Sequence, residues 1–152
     1  MYTRYLYFDK KLDTQRTNTI VYSMSDGIIG YTGYILFVTS LFKKICSFDP
    51  IVKTEFNFNN RFNIQQKSDF DVPLVEADKN DIIIVIALHS HGNLQLFFDR
   101  LKNQYQGHEY IVLTVPCCML GKSLLNIQYS EIFTDYGSLC NKNVYYLYKG
   151  IF

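Results

Sequence analysis

The chain is expected to fold as an α/β domain: a mainly parallel sheet with helices on its faces, an antiparallel hairpin at the carboxyl end, and few helices in between. Three observations carry this. Ile82 to Leu88 is an unbroken apolar run, as in a parallel strand buried on both faces. Strand-like and helix-like stretches alternate along most of the chain, the order of βα units. Only Ser138 to Lys142 separate the last two strand-like stretches. That is too short for a crossover helix, so those two must pair antiparallel.

Residues 1–18 carry Tyr2, Tyr5 and Tyr7 among Lys10, Lys11 and Arg16 and read as an amino-terminal arm, with the domain proper over 19–152. "NTIVYSMS" (18–25) is a β-branched and aromatic strand ended by Asp-Gly. "TGYILFVTSLFKK" (32–44) predicts a helix, with Lys43 and Lys44 suited to the negative end of its dipole. "ICSFDP" (45–50) is a second strand stopped by Pro50, and "RFNIQQKS" (61–68) a weaker third. "DIIIVIALH" (81–89) is the central strand, and "GNLQLFFDRLKNQY" (92–105) an amphipathic helix burying Leu94, Phe97, Phe98 and Leu101. "EYIVLTVPCCM" (109–119) is the next strand; "EIFTDYG" (131–137) and "NVYYLYKGIF" (143–152) form the hairpin. The connections "IVKTEFNFNN" and "DFDVPLVEADKN" are poor helices, the second because of Pro73.

Bulk properties narrow the function classes. At 152 residues, 48% hydrophobic and 19% charged, this is one folded domain with a real core. A net charge of +1 announces neither nucleic acid nor an anionic membrane. The four cysteines (Cys46, Cys117, Cys118, Cys140) have no disulfide-framework spacing and read as reduced thiols. The opening residues are too polar for a signal peptide, and the longest apolar run is too short to span a bilayer. The expectation is a soluble, cytoplasmic protein with no membrane association.

Chemistry concentrates at the strand ends. "SDGIIGYTGY" spaces Gly27, Gly30 and Gly33 three apart, just after the first strand. Asp49 ends the second strand, Asp69 and Asp71 follow the third, and "LHSHG" with His89 and His91 ends the fourth. Ligands of open α/β sheets bind at such carboxyl ends. With these residues in these places, the chain resembles the class I, Rossmann-like S-adenosylmethionine-dependent methyltransferases over nearly its whole length. Its last two motifs resemble a subgroup that includes transfer-RNA methyltransferases. That subgroup carries Leu-His-x-Cys-Gly-x-Leu after strand four, matched by Leu88-His89-Ser90-His91-Gly92-Asn93-Leu94 with histidine in place of cysteine, and Cys-Cys after strand five, matched by Cys117-Cys118. The usual acidic-x-Gly-x-Gly-x-Gly order is not met.

The resemblance implies S-adenosylmethionine as cofactor, bound by Asp26, Gly27, Gly30, Asp49 and Asp69. Asp49 would hold the ribose hydroxyls, Asp69 or Asp71 would lie beside the adenine, and His89 and His91 would face an RNA substrate. No metal is implied. Plainer alternatives stand beside each: Asp49 as a strand-end residue before Pro50, Asp26 as an Asx turn, and the histidines as hydrogen-bonded strand-end caps. Cys117 and Cys118 could join the histidines on zinc, but adjacent strand residues point to opposite faces, and such cysteines more often fill apolar space. A rival from another class is a methyltransferase-like subunit without catalysis that serves as a binding or scaffold partner. A nicotinamide-dependent oxidoreductase would need Gly-x-Gly-x-x-Gly and a parallel last strand, and has neither. With two helices for a wide sheet, leftover apolar surface should be covered by a homodimer mate or a partner subunit, the interface including part of residues 51–80.

Overall fold

The computed structural model describes residues 13–116, 120–135 and 143–152. Its elements are β1 (Thr19–Met24), α1 (Tyr31–Thr39), β2 (Lys44–Phe48), β3 (Phe56–Phe58), β4 (Phe62–Gln65), β5 (Ile82–Leu88), α2 (Leu94–Gln104), β6 (Glu109–Val115), α3 (Leu120–Ser123), β7 (Glu131–Asp135) and β8 (Asn143–Ile151). They build one eight-stranded sheet in the order β3-β4-β2-β1-β5-β6-β8-β7. β4, β2, β1, β5 and β6 are parallel. The carboxyl-terminal hairpin is antiparallel, as its short connection requires, and its second strand lies inside its first: Leu147 of β8 is in register with both Leu113 of β6 and Glu131 of β7.

β5 is buried on both faces, the direct result of its unbroken apolar run. Ile83, Val85 and Ala87 join one core with Ile20, Tyr22, Phe48 and the α2 side chains Leu94, Phe97, Phe98 and Leu101. Ile82, Ile84 and Ile86 join the other with Val21, Ile45, Phe62 and Leu36 of α1.

One local expectation is corrected, and two helix-poor connections are filled in ways the sequence left open. First, α1 ends at Thr39 rather than at residue 44. The hydroxyls of Thr39 and Ser40 donate to the Ile35 and Leu36 carbonyls at 2.5 and 2.6 Å, competing with further turns. The cation at this helix end is Arg61, whose guanidinium donates to the carbonyls of Phe37, Ser40 and Phe42. Lys43 instead lies 2.6 Å from both Asp78 and Asp81, and Lys44 opens β2. Second, the connection after β2 contains a strand, β3, antiparallel to β4. Asn59 and Asn60 take positive φ (51° and 54°) and the Arg61 amide closes the turn onto the Phe58 carbonyl at 3.1 Å. Asparagine tolerates this left-handed backbone, so a tight hairpin forms.

Third, the helix-poor connection 69–78 does not leave the sheet bare. It runs as a strap across one face, with Val72 fully buried and Leu74, Val75 and Ala77 packed on the same core. Side chains replace the missing helical ladder. Arg100 donates to the carbonyls of Asp69 and Val72. The Val75 amide donates to the Tyr22 hydroxyl at 2.7 Å, and the Tyr105 hydroxyl donates to the Val75 carbonyl at 2.6 Å. The two hydroxyls lie 2.6 Å apart, which leaves Tyr22 as donor between them.

Burial, with the neighbouring Tyr105 adding, pushes the Tyr22 phenol far up, and burial pushes Tyr105 up to about 12. Both folded values exceed the unfolded value of about 10. The tyrosine pair therefore contributes its full stability below about pH 10 and loses it as pH climbs through about 12. Tyr22→Phe should cost about 1–3 kcal/mol at neutral pH, because it strips the Val75 amide of its acceptor. It should also flatten the alkaline fall of the melting midpoint. Melts of both proteins across the alkaline range test this; parallel curves would remove the pair from the account.

Among the described residues, no helix is long and apolar enough to cross a membrane.

Candidate functional site

A cavity of about 460 Å³ opens at the carboxyl ends of β1, β2, β4 and β5. The chain leaves β1 toward β2 on one side and returns to β5 on the other, so this is the sheet's topological switch point. Ser25, Gly27, Phe48, Asp49, Pro50, Ile51, Asp69, His89, His91 and Gly92 line it. The structure thus brings Gly27, Asp49, Asp69, His89 and His91 together from four separate segments.

Asp49 is buried at the end of β2 and tied to backbone. It accepts from the Gly27 amide on Oδ2 and from the Ile51 amide on Oδ1, both at 3.0 Å. A carboxylate offers about four acceptor positions, so roughly half remain for a ligand. Gly27 sits at φ +76°, a conformation that keeps its amide on Asp49, and open space surrounds the position of a Cβ. Asp69, also buried, accepts from the Asn93 amide at 2.9 Å. Its carboxylate thereby joins the strap to the start of α2, where the Asn93 side chain caps the helix by accepting from Leu96 N–H at 3.0 Å.

Asp26 and Gly30 do not line the cavity. Asp26 accepts from the Thr32 and Gly33 amides at 2.8 and 2.7 Å and from the Ser47 hydroxyl at 2.8 Å. It supplies the acceptor that the α1 terminus needs, because the N-cap position is Gly30, which has no side chain to offer. Gly30 is left-handed (φ +59°) and buried, where a Cβ would come within 2.7 Å of Ser47 Oγ. Asp71, the alternative to Asp69, is exposed and accepts from the Ser68 amide and hydroxyl. These hydrogen bonds, the hydroxyl's first, hold its carboxyl below the usual carboxylate range.

His89 and His91 are both exposed at the cavity, beyond the end of β5. His89 adopts φ 54°, and its amide donates to the Val115 carbonyl at 2.9 Å. Ser25, at the end of the adjacent β1, is also left-handed at φ 53°. The Ser90 hydroxyl donates to Ser25 Oγ at 2.8 Å and accepts from the Gly92 amide at 3.1 Å, joining the two strand ends. Non-glycine residues in this region are uncommon outside turns, and here two of them line the cavity. Sequence reasoning missed Ser25 and Ser90, whose only signal was their position beside Asp26 and between the two histidines.

Cys117, Cys118 and Cys140 lie outside the described residues. Cys46 is a free thiol whose burial pushes its pKa up to about 12, as expected of an apolar filler. Among the described residues, no group of three His, Cys, Asp or Glu could hold a metal ion.

No family model matches the sequence, and no curated protein sequence matches it. Solved structures do match. SMU.1697c from Streptococcus mutans, classed provisionally as a methyltransferase and solved in complex with SAH, is 13% identical with a TM-score of 0.52, over 95% of this chain and 94% of its own. TrmK of M. capricolum, solved with its natural cofactor product S-adenosyl-homocysteine, is 14% identical with a TM-score of 0.51, over 94% of this chain and 66% of its own. MtNAS, solved with MTA and tNA, is 13% identical with a TM-score of 0.58, over 99% of this chain and 60% of its own. At such identities the likeness is one of fold. Together with the strand order and the inserted antiparallel β8, it defines the fold as that of the class I S-adenosylmethionine-dependent methyltransferases.

Proposed function

We propose that this chain binds S-adenosylmethionine in the cavity and transfers its methyl group, with RNA as the acceptor. The observation that carries the proposal is the convergence of Gly27, Asp49 and Asp69 on one cavity at the switch point of this fold. The chemistry of the lining suits such a ligand. Its two aspartates, Asp49 and Asp69, suit a sulfonium cation and can accept from ribose hydroxyls and an adenine amino group. Phe48, Pro50 and Ile51 offer an apolar wall for a base.

When bound, the cofactor supplies an activated methyl group. Asp49 and Asp69 would hold the cofactor, which would give up its methyl group to an acceptor aligned with the carbon–sulfur bond and leave as S-adenosylhomocysteine. The chain's contribution is chiefly placement of the two reactants. An acceptor that carries a proton must lose it, and we assign that role to His89 or His91, whose exposed imidazoles line the cavity. RNA is proposed from the likeness of Leu88–Leu94 to the motif of the transfer-RNA methyltransferase subgroup.

Melting with and without SAH tests the binding step. At a ligand concentration about 100 times its Kd, the folded state gains about 2.7 kcal/mol. That corresponds to a rise of roughly 5–10 °C for a domain of this size. An unchanged midpoint at millimolar SAH would remove the cofactor. Methyl transfer to total cellular RNA, with total protein as the parallel acceptor, tests the rest. His89→Ala or His91→Ala should lower turnover roughly a hundredfold or more while keeping the SAH-induced rise. Full activity in both variants would leave the histidines only their place at the strand end.

A further inference from the structure

We propose that the β3 edge and the outward face of α1 form a two-fold interface with a second copy of this chain. α1, of sequence YTGYILFVT, contains no charged residue and is apolar outside as well as inside. Tyr34, Val38 and, just past the helix, Leu41 are 52–55% exposed. Tyr34 and Val38, four residues apart in the helix, lie on one side of it. Alongside, Phe56 and Phe58 of β3 stack at 6.2 Å and are 48% and 41% exposed. Phe37 joins the two groups, its ring 5.2 Å from that of Phe58 and 5.2 Å from that of Phe62. A surface helix normally turns polar residues outward, and a continuous apolar patch marks association.

The shape of the edge selects a second copy as the occupant. β3 is the outermost strand on its side of the sheet among the described residues. Its sequence, Phe56-Asn57-Phe58, is symmetric about Asn57. Antiparallel pairing across a two-fold axis at Asn57 sets Phe56 of each copy opposite Phe58 of the other on one face, and the two Asn57 residues opposite each other on the other face. Aromatic cross-strand pairs favour that register. With a net charge of +1, two copies barely repel.

A nucleic-acid strand fits this surface less well. Arg61 is committed to three carbonyls and to the Phe37 ring at 5.0 Å, and Lys44 Nζ donates to the Asn60 carbonyl. The half-exposed side chains amount to roughly 500 Å² per copy. Backbone pairing and a polar rim bring this toward the roughly 800 Å² per partner of a stable complex.

Sedimentation of the full chain over a micromolar concentration series should show a dimer. Val38→Lys combined with Phe56→Lys should shift the dimer–monomer constant roughly a hundredfold toward monomer, with the circular-dichroism spectrum and cooperative melt retained. Asn57→Cys should form a self-linked dimer under mild oxidation, well above the level of the parent chain and of Asn126→Cys, a control on another exposed segment. A parent chain that stays monomeric throughout the series overturns the proposal. So does a dimer in which Asn57→Cys links no better than the control.

Discussion

Asp49→Ala is expected to weaken SAH binding by about 1–3 kcal/mol, roughly a five- to 150-fold rise in Kd. The carboxylate ends β2 where the glycine turn and the residues after Pro50 meet, and it accepts from the amides of Gly27 and Ile51. Removing it deletes the acceptor proposed for the ribose hydroxyls and also releases two amides that shape the wall. The two effects are separable. Loss of the amide contacts lowers the melting midpoint of the free protein; loss of the ligand contact lowers affinity measured by calorimetry. Asp49→Asn keeps one acceptor oxygen and should fall between parent and alanine. Unchanged affinity in a folded Asp49→Ala protein would take ribose binding away from this residue.

A large effect on stability is also expected at Gly33. Alanine inside a helix normally gains about 1 kcal/mol over glycine. Here the sign should reverse. A Cβ at Gly33 would meet Ser47 Cβ at 2.8 Å, Phe62 Cε2 at 3.1 Å and Asp26 Oδ2 at 3.3 Å. Ser47 Cβ is fixed to the β2 backbone and cannot swing aside, so α1 must shift off the sheet. Overpacking of this kind costs about 1–3 kcal/mol, a fall of roughly 3–10 °C in melting midpoint. Adding Ser47→Gly to Gly33→Ala should recover part of the loss, since it removes the obstructing atom. A Gly33→Ala protein that melts at or above the parent would mean that the helix has slack the distances deny.

These two positions show what the sequence made legible. β5 was readable because seven apolar residues in a row admit burial on both faces and little else. The hairpin was readable from a chain-length limit. That Asp49, Asp69 and the histidines line one cavity was readable because they follow strand ends, where open α/β sheets form their crevice. Less was visible where long-range partners decide. Nothing near Thr39 in sequence announces that Arg61 will cap α1, and nothing near Asp26 says that it turns toward the helix rather than the cavity. β3 had a local signal, Asn59-Asn60 between two runs of alternating apolar residues, that reasoning from helix propensity overlooked. The strap carried none, because its partners Tyr22 and Tyr105 lie 53 and 30 residues away from Val75.

That strap gives the domain an unusual route to partial unfolding. A helix over the sheet would fray from its ends and re-form from its own ladder. An extended segment has no internal ladder to rebuild from, so it is either docked along its length or released as a unit. Its release would uncover Phe97 and the tyrosine pair, and it would draw Asp69 away from the Asn93 amide. If the proposed cofactor engages Asp69, its binding and the docking of the strap share one equilibrium. A ligand that engages Asp69 would also favour the docked strap, and its loss would raise the share of molecules in which that one face is open.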